Sequence, residues 1–453
     1  MSKFQDIDNT QVFKQPILEA ETVPQRHEAR FVVEVIAQMD LSAFEDAYTG
    51  CGRKPYAPAM MLSLLIYGYL TGVFSSRRIE TATYDSIAFR FIAGNTHPDH
   101  ASIAGFRKRF QEQFKSVFQK VLEFAHELKL VKLGQVAVDG TKIRANASKH
   151  AALSYGHILK LQALLARQVN ELVAQADKAD NKDRPGLINY PGEISRRQGI
   201  QAEVAKAKAV IEARAAARYV GEVAEHEALV AKRAAKALKT GKKHGGRPPT
   251  PPTPGARARD QVNLTDEQSR IMALSGGSFE QAYNGQAAVD VTSMLIVAVT
   301  LTQATNDMGQ VVPMLQALAH APGALGKVQT FIADTGYCSA ANVEACNAAG
   351  IEPVIASQRE KHHPQSATER FEEPPPLPEG ATPMEKMNHR RKTQKGRAVY
   401  ALRKQTVEPV FGIIKSIMRF RQFSMRGLNA ARNEWHLVCL SWNIKRMAVL
   451  RPA

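Results

Sequence analysis

Two short runs constrain the fold of this chain more than any other feature: Val136-Ala137-Val138-Asp139-Gly140 and Phe331-Ile332-Ala333-Asp334-Thr335-Gly336. Each is apolar, carries β-branched residues, and stops on an aspartate followed by a pair containing glycine, the pattern of a buried strand that ends at a turn. A strand end can hold an acid both rigid and exposed. A third acid sits differently. Val407, Phe411, Ile414 and Met418 recur at helical spacing around Glu408, so a helix packed on the sheet would project that carboxylate sideways. Strands interleaved with helices predict an α/β fold.

Three acids, two at strand ends and one on a helix, suggest a site for a hard cation. Mg²⁺ prefers oxygen ligands, keeps several waters, and is held by a few carboxylates together with substrate phosphates. Two such ions about 3.5–4 Å apart can activate an attacking oxygen and stabilise the leaving one. The surrounding charge points to the same substrate class. Arg390, Arg391, Lys392, Lys395, Arg397, Arg403, Lys404, Lys415, Arg419, Arg421, Arg426 and Arg432 fall in one segment, in which Glu408 is the sole acid before Glu434. Two other acids compete with the trio. Asp290 interrupts an apolar strand and reads as a ligand or as a satisfied sheet-edge acid, and Asp307, after Asn306, reads most simply as a helix cap. On the residues alone, an aspartate before glycine is also a common turn residue.

The chain resembles the DDE transposases of bacterial insertion sequences, in the lineage whose glutamate lies in a Tyr-Arg-Glu-Lys signature. The resemblance is carried by Val138 to Lys149, Ala333-Asp334-Thr335-Gly336-Tyr337 and Thr406-Val407-Glu408-Pro409-Val410-Phe411-Gly412, and earlier by Pro58 to Leu62, Arg77 to Glu80 and Pro98 to Arg107. It implies an RNase H-like catalytic core in which Asp139, Asp334 and Glu408 bind two Mg²⁺ ions, with Mn²⁺ able to substitute. The implied activity is hydrolysis at an element's end to free a 3′-OH, which then attacks target DNA in the same site. The signature's Tyr would be Tyr400, and its Lys would be Lys415, in contact with terminal phosphates. Four residues separate Arg403 from Glu408 where the signature has three, and Lys404 has the three-residue spacing. The implied partners are double-stranded DNA, as terminal inverted repeats and target, and further copies of the chain as a homodimer or higher oligomer. A catalytically inactive repeat-binding repressor and an RNase H-like nuclease without strand transfer are the alternatives.

Composition agrees with a nucleic-acid partner. The 453 residues allow two or three domains, and a net charge of +17 favours a polyanion. Cys51, Cys338, Cys346 and Cys439 are widely spaced without a C-x-x-C pair, which argues against a disulfide framework or zinc site and for a reducing cytoplasm, here the bacterial nucleoid. The opening residues lack a signal-peptide core. The apolar stretch Ala59 to Phe74 is interrupted by Ser63, Gly68, Tyr69, Thr71 and Gly72, and reads as a buried helix rather than a membrane span.

In order, residues 1–25 are expected to form an extended arm and 26–132 an all-α, DNA-binding domain of four or five helices. Within it, Ser75-Ser76-Arg77-Arg78 opens a helix suited to a phosphate, with a hydroxyl cap. The segment from Ala101 to Arg109 looks like the second helix of a helix-turn-helix, offering Arg107, Lys108 and Arg109. A solvated basic face is the plainer alternative, and His97 and His100 read as loop or cap residues. Residues 133–154 begin the catalytic core, with Lys142 among its basic residues. A helical hairpin insertion follows over 155–243, its first helix marked by Leu159, Leu161, Leu164, Leu165, Val169, Leu172 and Val173. It serves dimerisation, DNA clamping or spacing. Residues 244–262 form a basic Gly/Pro linker, disordered by default. Residues 263–453 complete the core and end in basic helices carrying Arg419 and Arg421.

Overall fold

The computed structural model describes residues 23–48, 55–180, 189–241, 246–274, 276–357 and 373–451. In chain order it runs α1 (Glu28–Ala37), α2 (Ser42–Glu45), α3 (Pro58–Thr71), α4 (Ser76–Asp85), α5 (Ile87–Ala93), α6 (His100–Arg109), α7 (Phe114–Glu127), β1 (Gln135–Arg144), β2 (Ala152–Ser154), α8 (Tyr155–Asp180), α9 (Tyr190–Thr240), β3 (Gln261–Asn263), β4 (Arg270–Ala273), β5 (Phe279–Asp290), β6 (Ile296–Thr302), α10 (Val311–Ala319), β7 (Thr330–Ala333), α11 (Ala340–Ala348), β8 (Glu352–Ile355), α12 (Pro383–Lys392), α13 (Gln394–Ser416) and α14 (Leu428–Leu450). The fold is mixed α/β, with a helical amino-terminal region and a sheet core. The chain divides into two compact units, Met1–Ala145 with Tyr283–Ala453, and Asn146–Ala282.

In the first unit the strands lie in the order β6-β5-β1-β7-β8. β1 and β7 run parallel from Gln135↔Thr330 to Val138↔Ala333, and β8 extends the parallel set. Val136, Ala137, Val138, Phe331, Ile332 and Ala333 are fully buried, as in a sheet covered on both faces. β5 and β6 form an antiparallel hairpin. Its reversal occupies Val291 to Leu295. Asp290 accepts from the N–H groups of Thr292 and Ser293 and from the Ser293 hydroxyl, and Met294 takes a left-handed backbone at φ 63°. Asp290 is therefore the satisfied acid of its two readings.

Helix α14 joins the sheet to the helical region. The Asn443 side chain pairs with both the N–H and the carbonyl of Ile296, the first residue of β6, and the Trp435 indole donates to the Gln286 carbonyl. On its other side α14 packs on α3 and α7. The fully buried Glu434 accepts from Tyr69 Oη at 2.6 Å and from the N–H groups of Ser424 and Met425 at 2.9 and 3.0 Å. Arg107 joins this network through Tyr69 Oη at 3.3 Å and the Phe74 carbonyl at 3.1 Å. The region holds α1 to α7, more helices than expected, because left-handed caps at Gly72 and Gly94 and a break at Ser86 divide it. Met61 to Leu70 of α3 are all buried, and among the described residues no single helix is long and apolar enough to cross a membrane.

In the second unit α8 and α9 pack together over a core of Ile158, Leu165, Val204, Ala207, Ile211 and Val262. The expected stripe on α8 is displaced: Ile158 is buried, while Leu159, Leu164 and Val173 are exposed. Helix α9 continues for 51 residues. β2 pairs with β3, and β4 with Phe279 to Ala282 at the start of β5. The Gly/Pro linker departs from the disorder expected of it. Arg233 donates to the carbonyls of Gly246 and Arg247, Arg257 pairs with Glu222 at 2.8 Å, and Gly156 N–H donates to the Ala258 carbonyl. The expected arm up to residue 22, Cys51, the break at 181–188 and residues 242–245 lie outside the described residues.

Candidate active site

The last in-register pair of the β1–β7 ladder is Val138↔Ala333, so Asp139 and Asp334 are the next residue on each of two adjacent parallel strands. Neighbouring strands lie about 4.8 Å apart, and shared register brings these two acids level although they are far apart in sequence. Asp334 stands at a strand end, as expected. Asp139 does not: β1 continues to Arg144, and Asp139 marks the point where it parts from β7. Both side chains are tied locally, Asp139 Oδ1 by Gly140 N–H and Asp334 Oδ1 by Gly336 N–H, each at 2.8 Å.

Glu408 comes from α13, which packs on β1, β7 and β8 through the buried Val407, Val410, Phe411 and Ile414. Its side chain is 47% exposed. Arg403, on the same helix, lies between the acids, with Nη1 3.1 Å from Asp139 Oδ2 and Nη2 2.7 Å from Glu408 Oε1. Thus Arg403 faces the carboxylates, whereas Lys404 is exposed. Tyr400 lies under Arg391, 5.7 Å from ring centroid to guanidinium carbon.

The acids share one electrostatic neighbourhood. Burial pushes Asp139 up to about 6, Arg403 opposes this, and the nearby Asp334 and Asp307 add to it. Burial likewise raises Tyr337, with Asp307, Asp139 and Asp334 contributing. Lys415 is lowered by burial and then by Lys142 and Arg421, against the attraction of Asp139.

Asp307 corrects the sequence expectation. It precedes the short turn Met308–Gln310 but makes no side-chain cap hydrogen bond. Instead its Oδ1 accepts from Asn284 Nδ2 and Gln286 Nε2, both at 2.7 Å, and Lys142 Nζ stands 3.5 Å from Oδ2. Two amides on one face of a buried strand, Asn284 and Gln286, are the sequence signal that could have found this arrangement.

Chemically, the carboxylate oxygens of Asp139, Asp334 and Glu408 suit a hard divalent cation. Among the described residues, however, no three His, Cys, Asp or Glu side chains are grouped so as to hold one ion. Here the guanidinium of Arg403 supplies the positive charge between Asp139 and Glu408. Its own Nε is buried without a partner.

The other basic residues divide by placement. Arg77 and Arg78 are exposed on the first turn of α4, although Ser75 makes no side-chain cap bond, and Lys108 is exposed on α6. Arg107 is turned into the Tyr69–Glu434 network, contrary to its expected display, and Arg109 donates to the Ala47 carbonyl and stacks on Tyr48 at 4.6 Å. Lys142 is largely buried beside Asp307. Arg419 and Arg421 are exposed past α13, with Arg421 Nε bound to the Lys415 carbonyl at 3.0 Å. His97 stacks on Tyr84 and His100 pairs with Glu80 at 2.9 Å, in keeping with local roles.

Residues 249–444 match the family model for a transposase DDE domain, and residues 19–109 match the model for a transposase domain (DUF772). The first span contains Asp307, Asp334, Arg403 and Glu408, whereas Asp139 falls between the two spans. Comparison with curated proteins and with solved structures gave no match.

Proposed function

The chain is a DNA transposase with a DDE domain, an enzyme that cleaves and transfers DNA strands with the help of divalent metal, and we propose that Asp139, Asp334 and Glu408 are the acids that hold its metal. The observation that carries this reading is the β1–β7 register, which sets two aspartates side by side beneath a helix bearing the third acid. The ions are two Mg²⁺, for which Mn²⁺ substitutes. When bound they stabilise negative charge on the attacking and leaving oxygens of the phosphodiester.

The chain's own residues do the rest. Asp139, Asp334 and Glu408 would hold the metal, and Arg403, which pairs with Asp139 and Glu408, would then be available to a DNA phosphate, the group its planar fork fits best. Lys415, with Tyr400, Lys404, Lys142, Arg419 and Arg421, lines the path of the terminal strand. Exposed Arg77, Arg78, Lys108 and Arg109 place residues 26–132 on the DNA backbone, and Arg107 braces that surface from behind. The strand order and the DDE match together support an RNase H-like core, and Tyr400, Arg403, Glu408 and Lys415 support the Tyr-Arg-Glu-Lys lineage. The DNA is the element's terminal inverted repeats, brought together by a homodimer or larger assembly in the bacterial nucleoid.

The test uses a duplex carrying one element end and a supercoiled target in Mg²⁺. Wild type is expected to free the 3′-OH end and join it to the target. Asp139→Ala, Asp334→Ala and Glu408→Ala are each expected to lose both steps by at least ~10³-fold while still binding the end. Binding without nicking by wild type would make the chain a repressor, cleavage without joining a nuclease, and retained cleavage by all three variants would remove the proposed acids.

A further inference from the structure

We propose that Asp307 is a positioning residue for the site: its carboxylate fixes Asn284 and Gln286 beneath Gly140 and, through Gln286, the turn after Asp334, so that Asp139 and Asp334 stay level. The inference rests on the assignment of those two acids as metal ligands. Asn284 and Gln286 are two residues apart on β5 and therefore share a face. Both are fully buried, where an amide is costly unless it is paired. Asp307 Oδ1 receives both amide donors, and the other end of Gln286 accepts from the Tyr337 hydroxyl.

The contact with the backbone is close at Gly140 and looser at Gly336. A Cβ on Gly140 would lie 2.4 Å from Asp307 Oδ1 and 2.3 Å from Gln286 Nε2, so only glycine lets this pair sit against the residue after Asp139. A Cβ on Gly336, two residues after Asp334, would lie 3.7 Å from Asp307 Oδ2. The carboxylate thus sits against the chain just past Asp139 and reaches the turn after Asp334 through Gln286 and the Tyr337 hydroxyl.

The charge separates this role from ordinary packing. A further anion beside Asp139 and Asp334 raises the repulsion among carboxylates and works against folding without metal. A divalent cation reverses the sign of that interaction. Lys142 Nζ, 3.5 Å from Oδ2, offsets part of that repulsion, but the two amides do not need the charge, because a neutral carbonyl oxygen can accept the same two hydrogen bonds.

Asp307→Asn keeps an oxygen for the amides and removes the charge. In the full-length protein, Mn²⁺ titration followed by electron paramagnetic resonance is expected to show about 10- to 100-fold weaker binding, with the metal-free melting temperature lowered only by the loss of the Lys142 ion pair. Tyr337→Phe, which removes only the hydroxyl at the far end of the relay, serves as the second variant and is expected to weaken Mn²⁺ binding several-fold. Asp139→Asn is the control. If it abolishes Mn²⁺ binding while Asp307→Asn and Tyr337→Phe bind as wild type does, the positioning role is overturned and the ligand assignment stands. If Asp139→Asn itself binds Mn²⁺ as wild type does, the ligand assignment fails and takes this inference with it. A fall in melting temperature for Asp307→Asn with unchanged Mn²⁺ affinity would make Asp307 a packing residue only.

Discussion

Arg403 is the residue on which the chemistry of the site turns. Its guanidinium neutralises Asp139 and Glu408 in the absence of metal, so it competes with any cation those acids would bind. Arg403→Gln is expected to bind Mn²⁺ several-fold more tightly than wild type in the absence of DNA, and to cleave element ends more slowly because a phosphate contact is lost. Equal affinity in the two proteins would show that the guanidinium does not compete. A second residue carries a pH signature. Burial lowers His436 to about 4, below its ordinary 6.5, and its ring is hydrogen-bonded to the Arg432 carbonyl at 2.9 Å. The fold accepts the neutral ring, so the contribution is fully present above pH 6.5 and is lost as pH falls towards 4. The loss is expected to reach roughly 3 kcal/mol. Urea unfolding of wild type and His436→Gln between pH 7.5 and 4.5 checks this: the variant is expected to lose less stability across that range.

Among elements, β1 carries a position that only glycine fits. Gly140→Ala drives a methyl into Gln286 and Asp307 and is expected to cost about 1–3 kcal/mol, measured as a shift in the urea midpoint, together with Mn²⁺ affinity. Helix α14 depends on one buried acid. Glu434→Ala leaves Tyr69 Oη and the Ser424 and Met425 N–H groups without their acceptor and removes the negative charge near Arg107, for an expected loss of about 3–5 kcal/mol. The strands of the site were legible in the sequence because Val136-Ala137-Val138 and Phe331-Ile332-Ala333 are apolar without alternation and end on acids, a local signal. The helix under Glu408 was legible from its spacing. Asp307 was not, because Asn306-Asp307 before a helical segment carries the local signature of a cap, and the amides that claim its carboxylate lie on β5, some twenty residues earlier. The buried role of Arg107 was hidden for the same reason: its network closes on Glu434, more than three hundred residues away. On α8, leucines on two faces left the buried stripe undetermined until Val204, Ala207 and Ile211 of α9 selected Ile158 and Leu165.

At the scale of the whole molecule, the net charge of +17 makes DNA affinity a function of salt. The slope of log K against log salt is expected to fall in magnitude by about 1 for each of Arg77→Ala, Arg78→Ala and Lys108→Ala. Arg107→Ala is expected to leave the slope unchanged and to lower the melting temperature, since its side chain serves the interior. The direct test of the central claim is anomalous diffraction at the manganese edge from crystals of the full chain bound to an element end and soaked in Mn²⁺. The expected map places manganese within about 2.5 Å of carboxylate oxygens of Asp139, Asp334 and Glu408, with the Arg403 guanidinium moved off Asp139. Manganese bound elsewhere, with Arg403 still bridging Asp139 and Glu408, would contradict it.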